Sequence, residues 1–270
     1  MPKARPAIRI LSLLLLSIYW VGMATAGPVS WWRGEGNAQD SIDGNHGALV
    51  GGTSFAPGVL GQGFSFDGID DGVNIPDASN LHITGSLTLE ATINPSSYTG
   101  GDGALIIFRG DDRAGFDPYY LRMQPDGRIQ FWMDDGEGHA VQLQSDVVPL
   151  NTFSYVAGSL DAGRGVMELR INGAVVASTF TAVRPLANLS PTNNPGVSIG
   201  NHNRYPPFVH NMPFHGIIDQ VRIHNSFLIN MNHINKYVRG DGGYVVMKDG
   251  TSVSISRSKR QEFMEMFEKF

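Results

Sequence analysis

The chain has 270 residues, 41% of them hydrophobic and 17% charged, a balance that excludes a disordered chain and a membrane-embedded one. The absence of cysteine excludes disulfides, thiolate-held zinc, iron–sulfur clusters and thiol catalysis. The formal charge of −5 is uneven: residues 222–270 carry 8 Lys+Arg against 5 Asp+Glu and the remainder 12 against 20, so a basic tail follows an acidic body.

Residues 1–26 read as a signal peptide. Lys3, Arg5 and Arg9 form a positive start, Ile10–Met23 an apolar run, and Ala24-Thr25-Ala26 a small-x-small cleavage site. The run is short for a membrane span. The expectation is a secreted or periplasmic protein with no membrane span after cleavage.

From Pro28 to about Ile223, short alternating runs are separated by Gly, Asn and Pro clusters. Phe64 alternates with Phe66, and Val73 with Ile75. Leu87, Leu89, Ala91 and Ile93 alternate with Ser86, Thr88, Glu90 and Thr92, the period of a strand. Ile129, Phe131 and Met133 repeat that pattern. Met167, Leu169 and Ile171 lead into Asn172-Gly173, then Val175. An Asn-Gly pair between such runs predicts a tight hairpin, because its turn needs positive φ at both central residues. In GIIDQVRIHNS, residues 216–226, strict alternation puts Ile217, Asp219, Val221 and Ile223 in one row. The fold class is all-β, an antiparallel sandwich or barrel.

WWRGEGNAQDSIDGNHGALVGG (31–52), FAPGVLGQGFSFDGIDDGVNIP (55–76), SLTLEATINP (86–95), LNTFSYVAGSLDAGRGVMELRINGAVVAS (150–178) and GIIDQVRIHN (216–225) resemble, in order, laminin G-like domains of the concanavalin A-like lectin/glucanase superfamily. Phe153 stands where a Trp is usual and Gln220 where an acidic residue is usual. The resemblance implies a two-sheet antiparallel jelly roll over 28–222 whose first and last strands lie near each other. It implies a module that binds a glycan or an extracellular protein.

Catalysis is not expected. The glucanases of this superfamily carry Glu-x-Asp-x-x-Glu on one strand, whose alternation aligns acid and nucleophile. Here Glu35, Glu90, Glu137 and Glu168 are isolated, and no hydrolase or phosphate-loop motif occurs. A structural calcium is the better chemical candidate. Glu35, Asn37, Asp40, Asp43 and Asn45 place hard oxygens on one turning loop, as Ca²⁺ prefers. Asp219 adds a carboxylate in an apolar row, where it needs a partner or a metal. The alternative reading makes these turn residues, with Asp219 bonded to backbone amides. Asp67, Asp70 and Asp71 read as a solvated tight turn. Exposed aromatics are the expected ligand contacts: Tyr98, Tyr119, Tyr120, Trp132, and above all Tyr205 and Phe208, in a Pro-rich loop near His202, His210 and His215. A Trp within the strand run 128–133 reads first as core. The histidines lack metal-site spacing.

Residues 223–270 resemble the C-terminal half of a LytTR domain, a DNA-binding output module, through HNSFLINMNHI, GDGGYVVMKDG and SISRSKR. Tyr244–Met247 and Val253–Ile255 flank Asp249-Gly250, a hairpin signal. Ser258 with Gln261 has capping-box spacing for a short C-terminal helix. The resemblance makes Asn225 and Arg257 base-reading candidates, and Lys248, Lys259 and Arg260 phosphate contacts. The alternative function is therefore a DNA-binding transcriptional regulator. The family's N-terminal half has no counterpart here, and a signal peptide directs the chain away from the chromosome. RIHN, 222–225, fits both patterns.

Overall fold

The computed structural model describes residues 28–113, 115–202, 211–226, 234–239, 244–248, 252–254 and 264. The predicted signal peptide, Tyr205, Phe208, His210, Arg257, Lys259, Arg260 and all but one residue of the predicted C-terminal helix lie outside them.

Fifteen strands build two facing antiparallel sheets. They are β1 (Pro28–Trp32), β2 (Ala48–Val50), β3 (Ser54–Pro57), β4 (Gln62–Asp67), β5 (Gly72–Pro76), β6 (Leu87–Pro95), β7 (Ala104–Gly110), β8 (Tyr119–Met123), β9 (Arg128–Asp134), β10 (Ala140–Val147), β11 (Ser154–Asp161), β12 (Val166–Ile171), β13 (Ala174–Phe180), β14 (Gly196–Ile199) and β15 (His215–His224). The first sheet runs β13-β12-β11-β6-β15-β4-β3, with β1 also on β15; the second runs β10-β9-β8-β7-β14-β5-β2. Trp32 pairs with Val221, so the first and last strands are neighbours, as the jelly-roll resemblance implies. Asn172 and Gly173 have φ of 50° and 83°, and Ile171 faces Ala174 across the turn: the Asn-Gly hairpin forms where predicted.

The core lies between the sheets. Leu87, Leu89 and Ile93 from β6 meet Tyr119, Leu121, Ile129 and Phe131 from the second sheet in one buried cluster. At roughly 2 kcal/mol per fully buried large apolar side chain, this cluster is the main driving term for folding.

The closing strand departs from strict alternation. Its register shifts between Asp219 and Arg222, and Gln220 sits at φ 54°, a left-handed conformation a non-glycine residue adopts at a cost of about 1 kcal/mol or more. The bulge swaps faces in mid-strand. Ile218 before it and Val221 and Ile223 after it all point into the core. Asp219 is therefore not in the core row. It shares the outward side with Ile217, where a Cβ placed on Gly63 would meet both side chains. β15 also runs on to His224, two residues past the domain boundary expected at 222.

Beyond it, β16 (Ile234–Val238), β17 (Tyr244–Met247) and β18 (Ser252–Ser254) form a separate three-stranded antiparallel sheet. The predicted hairpin is β17–β18, and β16 adds a strand that the sequence pattern did not mark. Among the described residues no helix is long and apolar enough to cross a membrane.

Candidate functional site

The predicted metal ligands form two groups. Asp40 is closed: Oδ1 accepts from the amides of Trp31 and Ile42, and Oδ2 from those of Asp43 and Asn45. Four donors saturate a carboxylate. Asn37 Oδ1 accepts from Gln39 N at 2.9 Å, an Asx turn. Asn45 Nδ2 donates to Ser30 Oγ, and Asp43 meets Asn80 at 3.4 Å. Asp40 and Asn37 thus spend their side-chain oxygens on backbone amides.

Glu35 and Asp219 behave differently, because both reach the turn joining β3 to β4. Asp219 Oδ2 accepts from Val59 N and Leu60 N at 2.8 and 3.1 Å. Glu35 Oε2 accepts from Gln62 N at 3.1 Å. Gly58 and Gly61 let the carboxylates approach: a Cβ on Gly58 would lie 2.5 Å from Asp219, and one on Gly61 2.3 Å from Glu35. Asp219 is fully buried, and its Oδ1 meets no donor. Burial raises its pKa, with the amides of Leu60, Val59 and Gln220 and the Gln220 side chain pulling the other way. A buried carboxylate oxygen without a donor is costly. The fit to a hard cation therefore rests on Glu35 and Asp219, and not on the 37–45 loop. Asp67, Asp70 and Asp71 converge within 4.8 Å of one another, but Asp71 is spent on the amides of Gly52 and Asp67.

A second site lies on the outer face of the second sheet. Phe108, Tyr120 and Trp132 are direct register partners across β7, β8 and β9. Cross-strand partners stand within contact distance on one face, so the three rings form a row. Tyr120 and Trp132 are parallel, with centroids 5.7 Å apart, and Phe108 stacks on Tyr120 at 6.5 Å. This row belongs to a small cluster separate from the main core, in which Phe108 and Tyr120 are buried and Trp132 is partly exposed. Trp132, read first as core, is thus on the outer face. Tyr119, one residue from Tyr120, points inward and donates its hydroxyl to the Leu81 carbonyl. Tyr98 donates to the Val148 carbonyl.

Polar groups border the row. Gln130 Oε1 accepts from Tyr120 and Arg122, and its amide nitrogen donates to Gln142. The His202 ring packs on Phe108 at 4.5 Å. Asn201 holds that wall: its Oδ1 accepts from the amides of His202 and Met212. Between the walls is a cavity of about 110 Å³ whose lining includes Asp111, Asp112, Asp117 and Arg122. Burial, with the negative charges of Asp134 and Asp111, pushes the Asp117 carboxyl up to about 7, against the pull of Arg122. Burial also raises Asp134. A carboxyl perturbed by burial and specific neighbours, in a cavity with aromatic walls, marks a binding-site candidate. Sequence reasoning named Tyr120, Trp132 and His202 but missed Phe108 and Asp117. One signal was available: Phe108, Tyr120 and Trp132 recur every twelve residues across hairpin-linked strands.

The family model of the Concanavalin A-like lectin/glucanases superfamily matches residues 67–231, and that of the LytTr DNA-binding domain matches 218–268. No curated protein matches the chain. Among solved structures, domain 4 of AbnA, a GH43 extracellular arabinanase from Geobacillus stearothermophilus solved with arabinotriose, is 19% identical. The alignment covers 75% of this chain and 94% of that one, with TM-score 0.54. The botulinum neurotoxin serotype G binding domain is 13% identical, with 75% and 49% covered and TM-score 0.53. The botulinum neurotoxin DC binding domain, solved with rat synaptotagmin II, is 13% identical over the same shares, with TM-score 0.52. This chain spans about half of each toxin domain. The two family matches overlap at 218–231, and residues 218–224 of that overlap are strand β15 of the sandwich.

Proposed function

We propose a function from one premise, that the chain belongs to the Concanavalin A-like lectin/glucanases superfamily: it is a secreted or periplasmic, non-catalytic module that binds a glycan on the outer face of its second sheet. The observation that carries this reading is the partly exposed Trp132 ring, backed by the buried Tyr120 and Phe108, beside a cavity lined by carboxylate and guanidinium groups. Aromatic faces receive the C–H faces of sugar rings, and the polar border receives hydroxyls. Domain 4 of the arabinanase, which shares the fold, is complexed with arabinotriose. The test is binding of a panel of oligosaccharides to the full chain by calorimetry, with Trp132→Ala as the control. The variant is expected to lose at least about tenfold in affinity while its thermal transition stays cooperative. Unchanged affinity would move the site elsewhere.

We also propose a structural calcium at the β3–β4 turn, held by Glu35 and Asp219. When bound, the ion supplies the positive charge that the buried Asp219 Oδ1 lacks.

A second reading, DNA binding through the C-terminal segment, is favoured by the family match over 218–268. Asn225 and Lys248 are exposed and would be among its contacts. Residues 218–224 are held in the sandwich, so this reading leaves only residues from 225 onward to grip DNA. The full chain is expected to show no salt-dependent affinity for duplex DNA; a measured one would establish this second reading.

A further inference from the structure

We infer that the cavity beside the aromatic row receives the ammonium group of an amino sugar. This rests on the reading of the same face as a glycan site and narrows the class of glycan.

Three acidic side chains, Asp111, Asp112 and Asp117, line the cavity with two guanidiniums, Arg113 and Arg122, and the His202 imidazole. Arg113 is already committed: its Nε lies 3.0 Å from both oxygens of Asp111, and its guanidinium lies 3.6 Å from the Phe116 ring centroid. Arg122 donates to Gln130 and to the Asp102 carbonyl and leans over Tyr120. Neither hydrogen-bonds to Asp112 or Asp117. Asp112 Oδ2 accepts from Asn194 at 2.7 Å, while its Oδ1 is buried without a donor. Asp134 adds a fourth negative charge near Asp117. Four acidic groups thus face two guanidiniums and one imidazole, and the balance is on the acidic side.

Its walls suit a cation. The rings of Phe108 and Tyr120 line it, and an aromatic face attracts an ammonium through its quadrupole. A carboxylate facing such a wall supplies a charge-assisted hydrogen bond. The raised Asp117 carboxyl, with Asp134 and Asp111 as its anionic neighbours and Arg122 as its cationic one, reports the same negative field. Neutral sugars leave these carboxylates uncompensated, and uronic or sialic acids are repelled. A sugar carrying a free amine satisfies both the field and the aromatic wall.

The test compares a glucosamine tetramer with its fully N-acetylated counterpart, titrated into the full chain by calorimetry near neutral pH. The free amine is expected to bind at least about tenfold more tightly, the effect of one well-placed charge contact. Asp117→Asn and Asp112→Asn, isosteric changes at cavity carboxylates, are each expected to reduce that preference. The double variant is expected to abolish the preference, so that the two tetramers bind with the same affinity as each other. Equal binding of the two tetramers by the unmodified chain overturns this inference and leaves the glycan reading standing. A preference that survives in the double variant also overturns it, because the amine is then held elsewhere. Failure to bind either tetramer or any sugar of the wider panel overturns the glycan reading as well.

Discussion

The outer faces of the two sheets hold the same residue types and treat their carboxylates in opposite ways. On the first sheet, Glu90 is buried under three donors: Arg222 at 3.1 Å, His224 at 3.0 Å and the Tyr155 hydroxyl. Arg222 also lies 4.3 Å from the Trp31 ring centroid and bonds to Gln220. At the second sheet, Asp117 shares a cavity with Tyr120 and Arg122 and has anionic neighbours instead. Burial pushes both carboxyls up. At Glu90 the hydrogen bonds of His224 and Tyr155 and the charges of His224 and Arg222 outweigh it, and the pKa is lowered. At Asp117 nothing outweighs it. A buried acid that is fully paired consolidates the fold, and a half-buried one among like charges is available to a ligand.

The largest effect is expected on the closed face. Glu90→Ala leaves Arg222 and His224 facing each other without their counter-ion. Breaking such a pair costs about 3–5 kcal/mol in a fully buried setting, and about 2–3 is expected here because Arg222 is a quarter exposed. Urea unfolding at neutral pH measures it. Because the folded pKa of Glu90 lies below its unfolded value, its contribution is present above the unfolded pKa and is lost as pH falls through the folded one. The penalty of Glu90→Ala therefore shrinks on acidification. A penalty that does not vary with pH would mean that Glu90 acts by packing alone.

Asp219 sharpens the contrast, because it is gripped like Glu90 and raised like Asp117. Two backbone amides hold one oxygen while the other has none. If Glu35 and Asp219 hold calcium, chelation lowers stability by RT ln(1 + [Ca²⁺]/Kd), about 2.7 kcal/mol at a hundredfold excess over Kd. Scanning calorimetry with and without chelator measures this, and Asp219→Asn is expected to remove the calcium dependence. A melting temperature that ignores chelator and added calcium would reduce Asp219 to an anchor for the Val59–Leu60 turn.

The closed face was more legible in the sequence than the open one. The β6 alternation, the Asn172-Gly173 turn and the pairing of first and last strands all followed from local pattern or family resemblance. Local pattern could not foresee the Gln220 bulge, because one residue in a left-handed conformation inverts every later side chain of the strand without changing composition. Asp219 consequently looked like a core residue. The aromatic row was hidden for a related reason: Phe108, Tyr120 and Trp132 become neighbours only through the register of three strands. Nor could the 37–45 acids be sorted from sequence into ligands and turn-formers, since both uses favour Asp and Asn on a turning chain. That choice depends on where the amides point.

The smallest expected effect has the opposite sign. Asp117→Asn keeps the shape and removes the ionisable group. The folded pKa of Asp117, about 7, lies above its unfolded value of 3.8. The folded state therefore holds its proton more tightly. The stability this contributes is complete below pH 3.8 and declines as pH rises to about 7. Above that, the native state carries a half-buried carboxylate with anionic neighbours. Asparagine avoids that state, so the variant is expected to be more stable than the parent in mildly alkaline solution and nearly equal to it in strong acid. Half the full linkage value of about 1.4 kcal/mol per pKa unit, to allow for partial solvation, puts the alkaline gain at about 2 kcal/mol. Denaturation at the two pH extremes measures it. An amine-bearing ligand should reverse the ranking, because it stabilises the charged parent carboxylate and gains little from the amide. Stabilisation by Asp117→Asn without ligand, together with weaker amine binding with it, is what an open acid predicts and a closed one such as Glu90 does not.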